Sequence, residues 1–363
     1  MLKTPCHDWH VEHGGRMVDF AGWHMPVQYT TITDEHRAVR RAAGLFDIAH
    51  MGRIRFEGPD ACRFLDSLLT NDVTQLQPGQ VRYALVTNEQ GGILDDVLVY
   101  RFDSFYFLVV NAANREKILG WIDRHRQGFD VSIEDITLQT LMAALQGPGA
   151  VQILAPLAEA PISTLKYYHA CETTVCGVPA LVSRTGYTGE DGFEVVAPAD
   201  DALKVWCTLL DKGQNVGLVP CGLGCRDTLR LEAAMPLYGH ELDESIDPIT
   251  AGLSFAVKLQ AGDFIGRDAL LAIRQTGPKR RRVGLKLMGR RIARQGCQLF
   301  AARVSDPVGT VTSGTFSPTL QESIAMAYVR PEYSEPGMRL EVDVRGKREP
   351  AEVVSLPFYK RPR

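Results

Sequence analysis

From about Phe56 to Asp130 the apolar positions of the chain switch between two periods. RIRFEG, YALVT, GGILDDVLVYRF and SFYFLVVN alternate or run continuously apolar, as strands do, whereas DACRFLDSLLT spaces its apolar residues three and four apart, as a helix does. This stretch therefore reads as an α+β unit with an antiparallel sheet, followed by a helix over Ala113 to Arg126. A new unit begins near Thr137, where the apolar strand LMAALQG ends at the turn Gly147-Pro148-Gly149. ALVSRTG and FEVVAP flank the glycine-rich turn YTGEDG as a hairpin, and DALKVWCTLLDKG is a helix stopped by glycine, so this unit is α+β as well. Beyond the basic run Lys279 to Arg282 the texture changes to short alternating strands, RVGLKLM, GTVTSGTF, SIAMAYV and RLEVDVRG, which predict an all-β barrel or sandwich.

At 363 residues the chain is too long for one hydrophobic core, so two or three packed units are expected. Its 45% apolar and 23% charged residues are ordinary for a soluble globular protein. A net charge of -3 argues against a dedicated nucleic-acid binder. The eight cysteines form no CxxC pair, which indicates neither a zinc site nor a disulfide framework and suits a reducing cytosol. MLKTPCHDWHVEHGG has no apolar targeting core, and no later stretch reaches the ~18 apolar residues of a membrane span. The expectation is a cytoplasmic chain with no membrane or nucleic-acid partner. GxGxxG and GxxxxGK[ST] are both absent, which argues against a built-in dinucleotide or P-loop site.

Three segments carry candidate chemistry. In GGILDDVLVY, strict alternation puts Ile93, Asp95, Val97 and Val99 on one face and Leu94, Asp96, Leu98 and Tyr100 on the other. A strand apolar on both faces is central and buried, where an ionised carboxylate needs a partner or a task. Alternation does not choose between Asp95 and Asp96, and capping within the turn after Gly91-Gly92 is the competing account. In SRTGYTGEDGFE, Glu194 stands one residue inside the returning strand, while Glu190 and Asp191 suit turn geometry alone. In VPCGLGCRDTLRLEA, Asp227 at a helix start suits the dipole but Arg226 does not. Arg226 is better understood facing an anion or a ligand carbonyl, with a salt bridge to Asp227 or Glu232 as the alternative. His7, His10 and His13 recur every third residue with no cysteine or carboxylate cluster beside them, so they read as an exposed helical face rather than metal ligands.

Together these segments resemble the glycine-cleavage T-protein family, along with MVDFAGWHMPVQY, GLFDIAHMG, LTNDV, YGHELDESIDP, DFIGRDAL and VTSGTFSPTL. The resemblance runs over nearly the entire chain. It implies an α+β cloverleaf of three domains around a central folate channel: residues 1–50 with 137–275, a ferredoxin-like domain at 51–136, and a C-terminal β-barrel at 276–363. It also implies a reaction in which an aminomethyl group on the lipoyl arm of the H-protein passes to tetrahydrofolate, with release of ammonia. Tetrahydrofolate is then a co-substrate and no metal is implied.

By the same resemblance Asp96 is the catalytic carboxylate and Asp95 a structural one. Glu194 is implied to accept the paired pterin donors, Arg226 to contact folate, and Tyr83 and Tyr187 to pack against it. The ending LPFYKRPR places Lys360 or Arg361 near the folate carboxylates or the lipoyl arm, with Arg361 the choice. Basic patches at Arg280 to Arg282 and Arg290 to Arg294 are candidates for steering an acidic H-protein. The rivals on this scaffold are folate-linked demethylases, including oxidases with an FAD domain that this chain lacks, and a silent folate-binding module. A folate-binding protein of iron–sulfur maturation would carry a motif resembling KGCYxGQE, whereas the comparable stretch here, YGHELDESIDP, has no cysteine.

Overall fold

The strand-forming runs assemble into a hairpin, two open sheets and a closed barrel in a computed structural model that describes residues 1–362. The five-stranded sheet takes the order Val81–Thr87, Ile93–Arg101, Tyr106–Val110, Gly52–Glu57, Ser132–Asp135, with every neighbouring pair antiparallel. Leaving out the edge strand Val81–Thr87, the chain order is strand, helix, two strands, helix, strand, which is ferredoxin-like. Its helices, Ala61–Leu68 and Arg115–His125, bury Phe64, Leu65, Leu68, Ile118 and Ile122 against Ile54, Phe56, Val97, Val99 and Leu108. That apolar stripe, at helical spacing, seats both helices on one face of the sheet.

Ile93–Arg101 is central, as its doubly apolar pattern predicts, but its alternation is interrupted. Val86 pairs with Asp95 while Thr87 pairs with Ile93, so Leu94 is an extra residue in the ladder. Leu94 therefore joins Val97 and Val99 over the helices, and Ile93 turns to the opposite side with Leu85, Leu242 and Ile246. This corrects the grouping expected from strict alternation for those two residues. It leaves Asp95 on the helix face and Asp96, with Leu98 and Tyr100, on the face toward the rest of the molecule.

The six-stranded sheet takes the order Ala170–Val175, Val178–Ser183, Gly192–Pro198, Thr140–Gln146, Ala43–Asp47, Leu218–Cys221, parallel only in its last pair. Gly44 pairs with Gln146, so the ferredoxin-like unit is inserted between two strands that are neighbours in space. Leu45, Met142, Leu145, Phe193, Val195, Trp206 and Leu209 fill the core beneath. Six strands close the barrel: Arg281–Leu287, Gln298–Phe300, Gly309–Ser317, Glu322–Val329, Arg339–Val344 and Lys347–Val354. Gln298–Phe300 and Lys347–Val354 fall outside the four runs read from the sequence. The first is too short to show a period, and in KREPAEVV Pro350 and four charges obscure the inward Ala351 and Val353.

Two buried carboxylates, Glu232 and Glu241, bond the barrel to the first unit, Glu241 through Thr312 Oγ1. Glu232 Oε1 accepts from Ser317 Oγ at 2.5 Å and Thr319 N at 3.1 Å, and Oε2 from Arg40 Nη2 and Thr319 Oγ1, each at 2.8 Å. The N-terminal histidines also depart from expectation. His7–Glu12 is helical, but only His13 is exposed. His10 is fully buried between Asp47 Oδ2 at 2.8 Å and Tyr29 Oη at 2.7 Å, and His7 Nε2 meets His24 Nδ1 at 2.8 Å. The helix packs its histidine face inward because buried partners satisfy both ring nitrogens of His10, which removes the desolvation cost. Among the described residues no helix is long and apolar enough to cross a membrane.

Candidate active site

The turn before Ile93–Arg101 is built so that no side chain intrudes. A Cβ on Gly92 would lie 2.0 Å from the carbonyl oxygen of Glu244, and Gly91 sits at φ 81°. Three and four residues later stand the aspartates, and their surroundings separate them. Asp95 is fully buried and pinned: Oδ1 accepts from Asn111 Nδ2 at 2.8 Å and Asn114 Nδ2 at 2.6 Å, and Oδ2 from Asn111 N at 3.0 Å. Asp96 accepts from Tyr83 Oη at 3.1 Å and Asn111 Nδ2 at 2.7 Å, and keeps accessible surface. Burial pushes both carboxyls above the usual range. The charge of Asp96 pushes Asp95 further, while the bonds from Tyr83 and Asn111 pull Asp96 back.

Glu194 comes from the six-stranded sheet. Glu194 stands in register between Ala144 and Ser183 and is 5% exposed. It accepts from Thr185 Oγ1 at 2.5 Å, and burial raises its carboxyl while Thr185 and Arg226 oppose that rise. In the hairpin turn, a Cβ on Gly186 would meet Gln146 Oε1 at 1.9 Å, so only glycine lets the loop lie this close. The next residue, Tyr187, is thereby fixed, with its hydroxyl donating to Pro236 O at 2.5 Å.

Arg226 makes neither salt bridge open to it in the sequence. Asp227 is taken by Arg230 at 2.8 Å and Glu232 by Arg40 at 2.8 Å. The Arg226 guanidinium lies 4.9 Å from the Tyr187 ring centre, and its buried Nη1 has no hydrogen-bond partner among the described residues. Burial pulls this guanidinium below its usual range, opposed by Glu194 and Tyr187. Tyr83 and Tyr187 are electrostatic neighbours of each other and of Asp96, so five sequence-derived residues converge: Tyr83, Asp96, Tyr187, Glu194 and Arg226. Four of them, all but Glu194, keep accessible surface.

Arg361 lies at the edge of this group, with Nη1 3.4 Å from Asp191 Oδ1 and its guanidinium 5.7 Å from the ring of Tyr167. Arg363, the last residue of that basic ending, lies outside the described residues. Glu190 and Asp191 hold the turn together: Glu190 accepts from Arg40 at 2.9 Å and Tyr359 Oη at 2.8 Å, and Asp191 pairs with Arg184 at 2.5 Å.

Three residues at the site escaped the sequence reading. Asn111, at a strand end with nothing to mark it, bridges both aspartates through one amide nitrogen. His50 is buried and its Nδ1 has no partner among the described residues; burial, then the Arg226 charge, pushes its pKa down to about 3 and keeps it neutral. Tyr100 lines a cavity of about 10 Å³, roughly the space of one water, together with Ser183 and Glu194. Elsewhere, Glu35, Cys221 and Cys225 bring a carboxylate and two thiols within 4.8 Å of one another. Glu35 already accepts the backbone N–H groups of Tyr29, Thr30 and Gly222, and burial holds the proton on Cys221.

Known proteins are similar to this chain in sequence and fold. Residues 6–261 match the GCVT N-terminal domain and residues 280–360 the glycine cleavage T-protein C-terminal barrel domain. An aminomethyltransferase of Symbiobacterium thermophilum is 49% identical over 370 residues, covering 100% of this chain and 98% of the relative. One of Moorella thermoacetica is 48% identical over 364 residues, covering 100% and 99%. The crystal structure of glycine cleavage system aminomethyltransferase T from Bartonella henselae superposes with a TM-score of 0.93 at 36% identity, covering 99% of this chain and 98% of that one. With two domain matches that span almost all of its length, the chain belongs to the glycine cleavage T-protein family.

Proposed function

We propose that this protein is the tetrahydrofolate-dependent aminomethyltransferase of a glycine cleavage system. The observation that carries the reading is a carboxylate, Asp96, set by Tyr83 and Asn111 and grouped with Tyr187, Glu194 and Arg226, whose buried Nη1 has no hydrogen-bond partner among the described residues. In the reaction the sulfur–carbon–nitrogen unit on the dihydrolipoyl arm loses its nitrogen as ammonia and its carbon to folate, and the arm is left as a dithiol. Each bond cleavage leaves iminium-like positive charge on the carbon. A fixed anion in a partly dry site stabilises that charge, because its dipolar surroundings need not reorganise. An elevated proton affinity also suits Asp96 to accept the proton released from the attacking folate amine.

The other residues bind and orient. Glu194 is suited to accept the adjacent amino and ring N–H donors of a pterin. Arg226, held over Tyr187 with one nitrogen unsatisfied, is suited to a ligand carbonyl or carboxylate. Tyr83 and Tyr187 offer ring faces, and Arg361 a cation for the folate tail. An acidic lipoyl carrier, the H-protein, would be steered by Arg280, Arg281 and Arg290, all exposed. Within the same two basic runs Arg282 is spent on Ala234 O, Arg291 on Glu349 and Arg294 on Gly314 O. The test is ammonia release from aminomethylated H-protein with and without tetrahydrofolate. Folate-dependent release is expected, and folate-independent or absent release would refute the assignment.

A further inference from the structure

One apolar side chain stands outside this account. Phe255 is 64% exposed, yet its ring stacks on Tyr83 with centres 5.9 Å apart and planes 24° apart. Tyr83 in turn donates to Asp96. The two rings therefore form a continuous apolar face from solvent to the ring that touches the catalytic carboxylate. Nor does Phe255 ride on a loose loop. Thr70 Oγ1 donates to Ala256 O and Lys258 N donates to Thr70 O, each at 2.8 Å, and the flanking Leu253, Ala256 and Val257 are buried. The anchored segment therefore holds the phenyl ring against Tyr83 while most of it stays open to solvent.

We propose that Phe255 is a positioning residue for the aminomethyl donor, and that the aliphatic part of the carrier's lipoyl arm lies along Phe255 and Tyr83 as its terminus reaches Asp96. The inference rests on the functional reading above. Two features favour this occupant. The arm is a long alkyl amide, which matches an apolar strip better than the charged tail of folate does. The strip is also bordered by exposed cations suited to an acidic carrier: Lys258 stands three residues on, and Arg280 lies 5.8 Å from the ring of Tyr328 in the same cluster.

The test compares wild type, Phe255→Ala and Phe255→Tyr in steady-state ammonia release, together with calorimetric binding of tetrahydrofolate. In Phe255→Ala the KM for aminomethylated H-protein should rise about tenfold, as expected when one ring face stops being covered on binding. The kcat and the folate Kd should stay within about twofold, because the hydrogen bonds that Tyr83 and Asn111 give Asp96 do not involve Phe255. Phe255→Tyr, which keeps the ring, should restore the KM. An unchanged KM in Phe255→Ala alongside normal wild-type transfer overturns this inference alone. A weakened folate Kd with an unchanged carrier KM overturns it too, by assigning the ring to the folate tail. Wild-type protein that transfers nothing overturns the functional reading and this inference with it.

Discussion

Replacing Asp96 by asparagine removes one charge and almost no volume, so it isolates the electrostatic role. A carboxylate about 4 Å from a developing unit cation, at the effective dielectric of roughly 20 typical of partly buried sites, contributes about 4 kcal/mol. That corresponds to a rate loss of about 10³. Asp96 fits this regime, since it is bonded on two sides by Tyr83 and Asn111 yet keeps accessible surface. An asparagine oxygen can still accept from Tyr83, so tetrahydrofolate binding should weaken by no more than about threefold. Single-turnover ammonia release with saturating folate measures the chemical step, and calorimetry measures binding. The wild-type rate should also rise with pH as Asp96 ionises, at a pH above the ordinary carboxylate range, and this limb should vanish in the variant. A variant rate within tenfold of wild type would refute the argument.

Glu194→Ala should weaken tetrahydrofolate binding by about 1.5–3 kcal/mol in calorimetry, because the pterin donors lose a charged acceptor. Arg281→Glu combined with Arg290→Glu should slow H-protein association and flatten its salt dependence in stopped-flow measurements; an unaltered association rate would move docking elsewhere. Glu232 supports a pH-dependent stability. Burial opposes its ionisation, but His36, Ser317 and Arg40 overcome this and bring its pKa down to about 2. A lowered carboxylate contributes stability that is present above its ordinary range and is lost as pH falls from about 4.5 to about 2, here on the order of 3 kcal/mol. Urea unfolding at pH 6 and pH 3 should show that loss in wild type, and Glu232→Gln should be less stable at pH 6 with a shallower acid limb.

Local pattern alone determined much of this protein. The apolar period marked the central strand Ile93–Arg101, the hairpin that carries Glu194 and the all-β C-terminus, because strand and helix periods are properties of consecutive residues. Residue chemistry marked Arg226 as a cation at a helix start in need of a partner. Only the tertiary structure gave Asp95 and Asp96 different surroundings. Asn111 and Asn114 come from after the next strand, and together they pin the buried Asp95, while Asp96 shares only Asn111 and keeps accessible surface. The buried histidines and the bulge at Leu94 were likewise decided by distant partners, Asp47 and Tyr29 in one case and the Val81–Thr87 ladder in the other. A side chain's surroundings depend on which remote segments pack against it, and no period along the chain records that.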